Sequence, residues 1–186
     1  MKKIILVSKL VMVILISYLG LLLLGRYFGE FTPVQVKVSI DNSAYLMDRR
    51  YLVGEADNVF IGKVVRNLGY QVINDLPETQ YEVRVSKRIK GEILGTAIVN
   101  QLGGVKLIYN FVPERTSVVG QRDIEIGKTY LFVTHYSWPR NCYTIITGAG
   151  LYEITNKEEK DKLIKAFKNA YRNQLRHNED IETVEN

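Results

Sequence analysis

The stretch Tyr51–Arg66, YLVGEADNVFIGKVVR, decides how this chain folds. Its first half completes a helical pattern. Tyr45, Leu46, Arg49, Leu52 and Val53 recur at the spacing of one helix face, and Gly54 is placed to stop the helix. Its second half, NVFIGKVV, is an almost unbroken apolar run, the pattern of a buried strand. Gly62 in the middle of that run predicts a bulge or a strong bend.

Further strands follow on the C-terminal side. Residues 67–77, NLGYQVINDLP, read as a connecting loop or hairpin tip. In residues 79–93, TQYEVRVSKRIKGEI, Tyr81, Val83 and Val85 alternate with Glu82, Arg84 and Ser86, so one face is apolar and the other meets water. LGTAIVNQLGG (94–104) gives another strand, and VKLIYNFV (105–112) a further one that Pro113 ends. GKTYLFVTHY (127–136) and CYTIITGAG (142–150) form a hairpin around the loop SWPRN, with LYEI (151–154) as an extension or a short separate strand. On the N-terminal side, Val34, Val36, Val38 and Ile40 alternate as in an exposed first strand or stalk.

The period changes after residue 154. Thr155 with Glu158 fits a capping box, and Leu163, Ile164, Phe167, Ala170, Tyr171 and Leu175 line one face of an amphipathic helix docked on the body. An acidic tail, NEDIETVEN, follows. Consecutive strands joined by short turns predict a mainly β chain: a small antiparallel barrel of the OB type with flanking helices.

The first residues carry a different signal. Lys2 and Lys3 precede a run from Ile4 to Leu24 whose only charge is Lys9. A spanning helix needs roughly 20 apolar residues. The run therefore reads as one N-terminal transmembrane helix, with Tyr27 and Phe28 at the interface and the lysines on the cytoplasmic side. A cleaved signal peptide with a core from Leu10 to Leu24 is the rival, although no small-x-small pair follows that core; the protein is secreted in that case. The expected organisation is an anchor over residues 1–30, a barrel over 31–154, and a helix with its tail over 155–186. The body is expected outside the cell.

Charge and cysteine content exclude several functions. The formal net charge is +5. Four of the 25 basic residues and one of the 20 acidic ones lie in residues 1–30, which leaves the rest near neutral, with 21 basic against 19 acidic. Such a body lacks the concentrated positive charge of a polyanion binder, so no nucleic-acid partner is expected. Cys142 is the single cysteine, which rules out an intramolecular disulfide and a cysteine-based zinc cluster.

EADNVFIGKVV, YEVRVSKRIKGE and IGKTYLFV together resemble the netrin-module and tissue-inhibitor-of-metalloproteinase-like domains. The matching residues are Ala56, Asp57, Val59, Phe60, Gly62, Val64, Lys90, Gly91, Gly127, Tyr130 and Leu131, within about residues 45–154. The resemblance implies a five-stranded OB-type barrel with flanking helices. It does not extend to protease inhibition, because those inhibitors chelate the protease zinc through an N-terminal cysteine, and Cys142 is far along the chain. It implies an extracytoplasmic binding domain.

No catalytic, metal or cofactor site is recognisable. His135 and Cys142 flank the SWPRN turn and are the one candidate for a nucleophile–base dyad, which makes an envelope enzyme an alternative reading. His177 lies in the charged terminus. The exposed loop residues Trp138 and Arg140 are the expected ligand contacts, since aromatic and arginine side chains anchor interfaces. Arg84 and Arg88, with Lys87 and Lys90, form a basic strand face that would suit an anionic wall polymer. The function expected is a membrane-anchored interaction module whose partner is an envelope protein or a wall polymer.

Overall fold

The computed structural model describes residues 11–20, 33–39, 44–108 and 112–176. The chain divides into two compact units, residues 1–34 with 107–113, and residues 35–106 with 114–186. In the first unit, residues 11–20 are helical (α1). Among the described residues no helix is long and apolar enough to cross a membrane. The expected span from Ile4 to Leu24 lies mostly outside those residues, as do His177 and the acidic tail.

The second unit holds the barrel. A 3-10 turn, Ala44–Met47, leads into α2, Arg49–Glu55. The strands are β1 (Val34–Val38), β2 (Asn58–Ile73), β3 (Leu76–Lys90), β4 (Thr96–Leu102), β5 (Gly104–Ile108), β6 (Val112–Val118), β7 (Thr129–Ser137), β8 (Cys142–Ile145) and β9 (Leu151–Ile154). The helix α3 spans Lys157–Arg172. One sheet runs β2-β3-β4-β8-β7-β9, and β2 also pairs with β7, so five strands close on themselves in the order β2-β3-β4-β8-β7. Four of the pairings are antiparallel, and β4 with β8 is parallel through Val99–Tyr143 and Asn100–Thr144. This corrects the expectation of a wholly antiparallel barrel. An odd number of strands cannot alternate in direction around a closed ring, so one neighbouring pair must run the same way. The resulting order and direction are those of an OB-like barrel. A smaller sheet takes β1, β6 and β5 in that order.

The unbroken apolar run in β2 now has a cause: the strand is buried on both faces. Phe60 and Val64 point into the barrel with Tyr81, Val83, Val99, Tyr130 and Phe132. Val59 and Ile61 point outward, with Leu131 and Val133 of β7, under Leu52 and Val53 of α2 and Phe167 and Ala170 of α3. The two helices cover one wall of the barrel, and each face buries its apolar surface against a separate core. Gly62 lies next to a register shift, and a Cβ there would collide with Val83. A side chain at residue 62 would separate β2 from β3.

The ends of elements differ from expectation in instructive ways. Gly54 does not stop α2; it lies inside the helix, against the Leu175 carbonyl. The chain leaves the helix at Ala56, in extended backbone, and Lys90 Nζ donates to the carbonyl oxygens of Val53 (2.6 Å) and Gly54 (3.4 Å) and to Gln174 Oε1 (2.9 Å). A cation on orphan C-terminal carbonyls is a favourable cap. The cap of α3 is Asn156, one residue later than expected. Its Oδ1 accepts from the Glu159 N–H, while Glu159 Oε2 accepts from the N–H and hydroxyl of Thr155. β2 and β3 run through most of the expected loop at residues 67–77. They turn only at Asn74 and Asp75, both with positive φ, as a two-residue hairpin requires. β6 includes Pro113, where a strand end was expected.

Candidate functional site

The β7–β8 hairpin that carries Trp138 has a short, tightly held loop. Ser137 pairs with Cys142 and Tyr136 with Tyr143. Asn141 takes a positive φ of 48° and its N–H donates to the Trp138 carbonyl. The Tyr136 hydroxyl donates to Asn141 Oδ1 at 2.8 Å. Arg140 turns back across the loop, with Nε on Ser137 Oγ at 3.1 Å and Nη1 on Glu78 Oε2 at 3.0 Å. Trp138 is left 83% exposed. A large indole in water, on a loop whose neighbours are already fixed, loses little conformational freedom when a ligand covers it.

Trp138 borders a cleft of about 460 Å³ lined by Asp57, Asn58, Gly91, Glu92, Tyr136, Trp138 and Tyr143. The cleft lies where β2 starts, β3 ends and the β7–β8 hairpin turns. Its rings are mutually inclined: Tyr136 to Trp138 at 6.3 Å and 68°, Tyr136 to Tyr143 at 4.9 Å and 45°. Phe60 packs edge-on against Tyr143 from the core side, and burial pushes the Tyr143 phenol up. Asp57 Oδ2 accepts from the Tyr136 N–H at 2.8 Å and lies 3.8 Å from His135 Nδ1.

The residues expected to form a site are not brought together. Trp138 lies on the cleft. Arg140 leaves it for the ion pair with Glu78, so it holds the loop instead of presenting a free guanidinium. Arg84 and Arg88 are exposed on β3 and do not line the cleft. Arg84 stands opposite Lys63 across the β2–β3 ladder. Lys90 is spent on the α2 carbonyls, and burial pulls its ammonium down. Asp57, Glu92, Tyr136 and Tyr143 were not anticipated. Their contribution depends on closure of the barrel, which sequence spacing does not report.

His135 and Cys142 have different partners. His135 is opposite Thr144 and beside Asp57. Cys142 is fully buried, and its Sγ accepts from Asn100 Nδ2 at 3.3 Å. Burial pushes its thiol up, against the pull of Arg140, so the thiolate needed for nucleophilic attack is disfavoured. The same Asn100 amide donates to Glu78 Oε2 at 2.8 Å, while Gln80 donates to Asn100 Oδ1 at 3.0 Å. These groups form a buried polar network that anchors the loop. Among the described residues no three His, Cys, Asp or Glu side chains are grouped to hold a metal ion.

No protein-family model matches the chain, and no curated protein matches it. Among solved structures, it is similar to one described as the crystal structure of yeast Stn1 and Ten1, at 15% identity and a TM-score of 0.34, over 82% of this chain and 81% of that one. The expectation that nucleic acid is no partner is corrected on the chain's own surface. The expectation rested on near-neutral charge and on an anchor that places the body outside the cell. Yet a near-neutral total does not exclude a local basic face: Lys63 and Arg84 stand opposite each other across β2 and β3, and OB barrels as a class include binders of single strands.

Proposed function

We propose that this protein is a binding module built on an OB-like barrel, with the β7–β8 loop and the cleft beside it as its ligand surface. The observation that carries the reading is Trp138, exposed at 83% on a loop that Arg140, Glu78 and Asn141 hold in place. A pre-fixed aromatic anchor at the edge of a pocket is the usual make-up of a binding hot spot. The netrin-like identity of the barrel belongs to this proposal and is supported by the residues from Ala56 to Leu131 that match the motif. Single-pass anchoring with the barrel outside the cell also belongs to it, and is supported by the run from Ile4 to Leu24 behind its lysines.

The test is site-specific photo-crosslinking in intact cells. A crosslinker at Asn141 is expected to give a discrete adduct that is lost on Trp138→Ala, while one at Lys165 on α3 gives none. An adduct at Asn141 that survives Trp138→Ala refutes the assignment of the loop.

A second reading is favoured by one observation. Lys63 and Arg84 are paired in register, with Lys87 and Arg88 exposed nearby, and none of the four is in an ion pair among the described residues. Like charges directly opposite on a ladder are destabilising, and a bound polyanion would relieve the repulsion. Binding of a single-stranded oligonucleotide that falls steeply with salt and is lost on Arg84→Glu would support this; binding insensitive to salt would rule it out.

A further inference from the structure

The cleft beside Trp138 combines two features that point to one ligand chemistry. Three aromatic rings, Tyr136, Trp138 and Tyr143, surround it at inclined angles. Its charged lining is purely acidic, Asp57 and Glu92, with no lysine or arginine among the lining residues. Ring faces carry negative electrostatic potential and attract cations, most strongly at tryptophan. We infer that this cleft is an aromatic cage for an organic cation, either the ammonium or guanidinium side chain of a basic segment or a free quaternary ammonium. The inference rests on the proposed role of the β7–β8 loop and names the chemistry of its ligand.

The surrounding groups leave the site available. Glu92 is exposed and has no ion-pair partner among the described residues. One oxygen of Asp57 is taken by the Tyr136 N–H, which orients the carboxylate toward the rings' own strand. Lys90 acts electrostatically on Asp57, but its ammonium is committed to Val53, Gly54 and Gln174, none of which lines the cleft. Arg140, the other nearby cation, is held by Glu78. His135 Nδ1 lies 3.8 Å from Asp57 Oδ2. The size also fits: about 460 Å³ of open cleft accommodates a trimethylammonium group or the end of a lysine or arginine side chain. A cation seated there gains both ring and carboxylate attraction, whereas an uncharged group of equal shape gains only contact.

Trp138 is the only tryptophan of the chain, so emission excited on the long-wavelength edge, where the twelve tyrosines do not absorb, reports on this cleft alone. The full chain, in a maltoside detergent that carries no cationic headgroup, is titrated with choline, with Nα-acetyl-lysine amide and with 3,3-dimethylbutanol, the neutral isostere of choline. A saturable change in Trp138 emission with choline or the lysine amide, and none with the isostere, is the expected result. Response to choline alone identifies a small quaternary ammonium, and response to the lysine amide identifies a basic side chain. Glu92→Gln removes one exposed charge and is expected to weaken half-saturation about two- to five-fold, the size of a partly screened charge contact. Tyr136→Leu removes a ring and is expected to weaken it about ten-fold. An equal response to the isostere, or no response to either cation, overturns the assignment. The outcome separates from the crosslinking test: an adduct at Asn141 without a cation response refutes the cage alone, and a cation response without an adduct refutes the loop as a partner surface.

Discussion

Glu78 is the residue on which the β7–β8 loop depends most heavily, and Glu78→Ala tests that dependence. Its Oε2 accepts from Arg140 Nη1 at 3.0 Å and from Asn100 Nδ2 at 2.8 Å, and the residue is 9% exposed. The two contacts differ in worth. Arg140 is about a third exposed, so water screens its ion pair and the loss costs about 0.5–1 kcal/mol. Asn100 is fully buried, and without Glu78 its amide keeps only the sulfur of Cys142 as acceptor. Leaving a buried donor poorly satisfied costs about 1–2 kcal/mol. Glu78→Ala is therefore expected to destabilise the barrel by about 2 kcal/mol, a drop of about 1 M in the urea midpoint at a slope near 2 kcal/mol/M. Arg140→Ala is expected to cost half of that or less, and the double variant to show a coupling of about 0.5–1 kcal/mol. The assay is urea unfolding followed by far-ultraviolet circular dichroism, with Trp138 anisotropy as a separate probe of the loop. Both variants are expected to lower that anisotropy in the folded state. If Arg140→Ala costs as much as Glu78→Ala, or if the coupling vanishes, Glu78 does not organise the loop through two unequal bonds.

Other consequences are checked more simply. Phe167→Ala empties a fully buried site between Tyr152, edge-on at 5.1 Å, and the α2 side of the barrel. It is expected to cost about 3–5 kcal/mol and to remove hydrogen-exchange protection from α3 before the barrel strands. Cys142 is expected to react with a disulfide reagent at a rate that rises with urea, and in the native chain only as pH climbs above the ordinary thiol value of about 8.5; fast labelling near neutral pH contradicts its burial. Lys128, hydrogen-bonded to Glu153, holds that carboxyl below its ordinary value, with Arg122 assisting. Because the folded value is depressed, this contribution is present above the unfolded value and is lost as pH falls below about 4.3. Glu153→Gln is expected to flatten the acid limb of the stability curve, measured as urea midpoints between pH 3 and 7.

The barrel strands were legible where burial imposes a simple pattern. β3 shows its alternation because one face meets water, and β7 and β8 announce a hairpin through the Pro-containing loop between them. NVFIGKVV was recognisable as a strand because it is apolar throughout. The reason, two cores on its two faces, appears only when α2 and α3 are laid over Val59 and Ile61. β6 is hard to read in ERTSV because one of the two alternating positions it buries, Thr116, is polar, which leaves Val118 as the only apolar residue of the buried face. Gly54 misled for a related reason. A glycine near a helix end reads as a stop, but this one is there because Leu175 comes back against it from more than a hundred residues away.

The candidate site was legible one residue at a time and never as a set. Trp138 stood out because an indole in a Pro-Arg-Asn turn has no core to join. Arg140 looked equivalent beside it, yet the two side chains part company: one faces water and the other closes on Glu78, 62 residues earlier. Nothing local distinguishes these fates. They are decided by the parallel β4–β8 pairing, which sets Asn100 and Glu78 alongside Cys142 and so supplies Arg140 with its carboxylate. Closure also carries Asp57, from the turn between α2 and β2, and Glu92, just past β3, to the rings of Tyr136 and Tyr143. In EADNVFIGKVV the apolar residues hold the barrel together, and one of its two acidic residues, Asp57, lines the cleft. A stretch that reads wholly as scaffold in one dimension thus contributes Asp57 to the candidate site in three, because the turn that leads into β2 lies beside the β7–β8 hairpin once the barrel closes, with Asp57 accepting from the Tyr136 N–H.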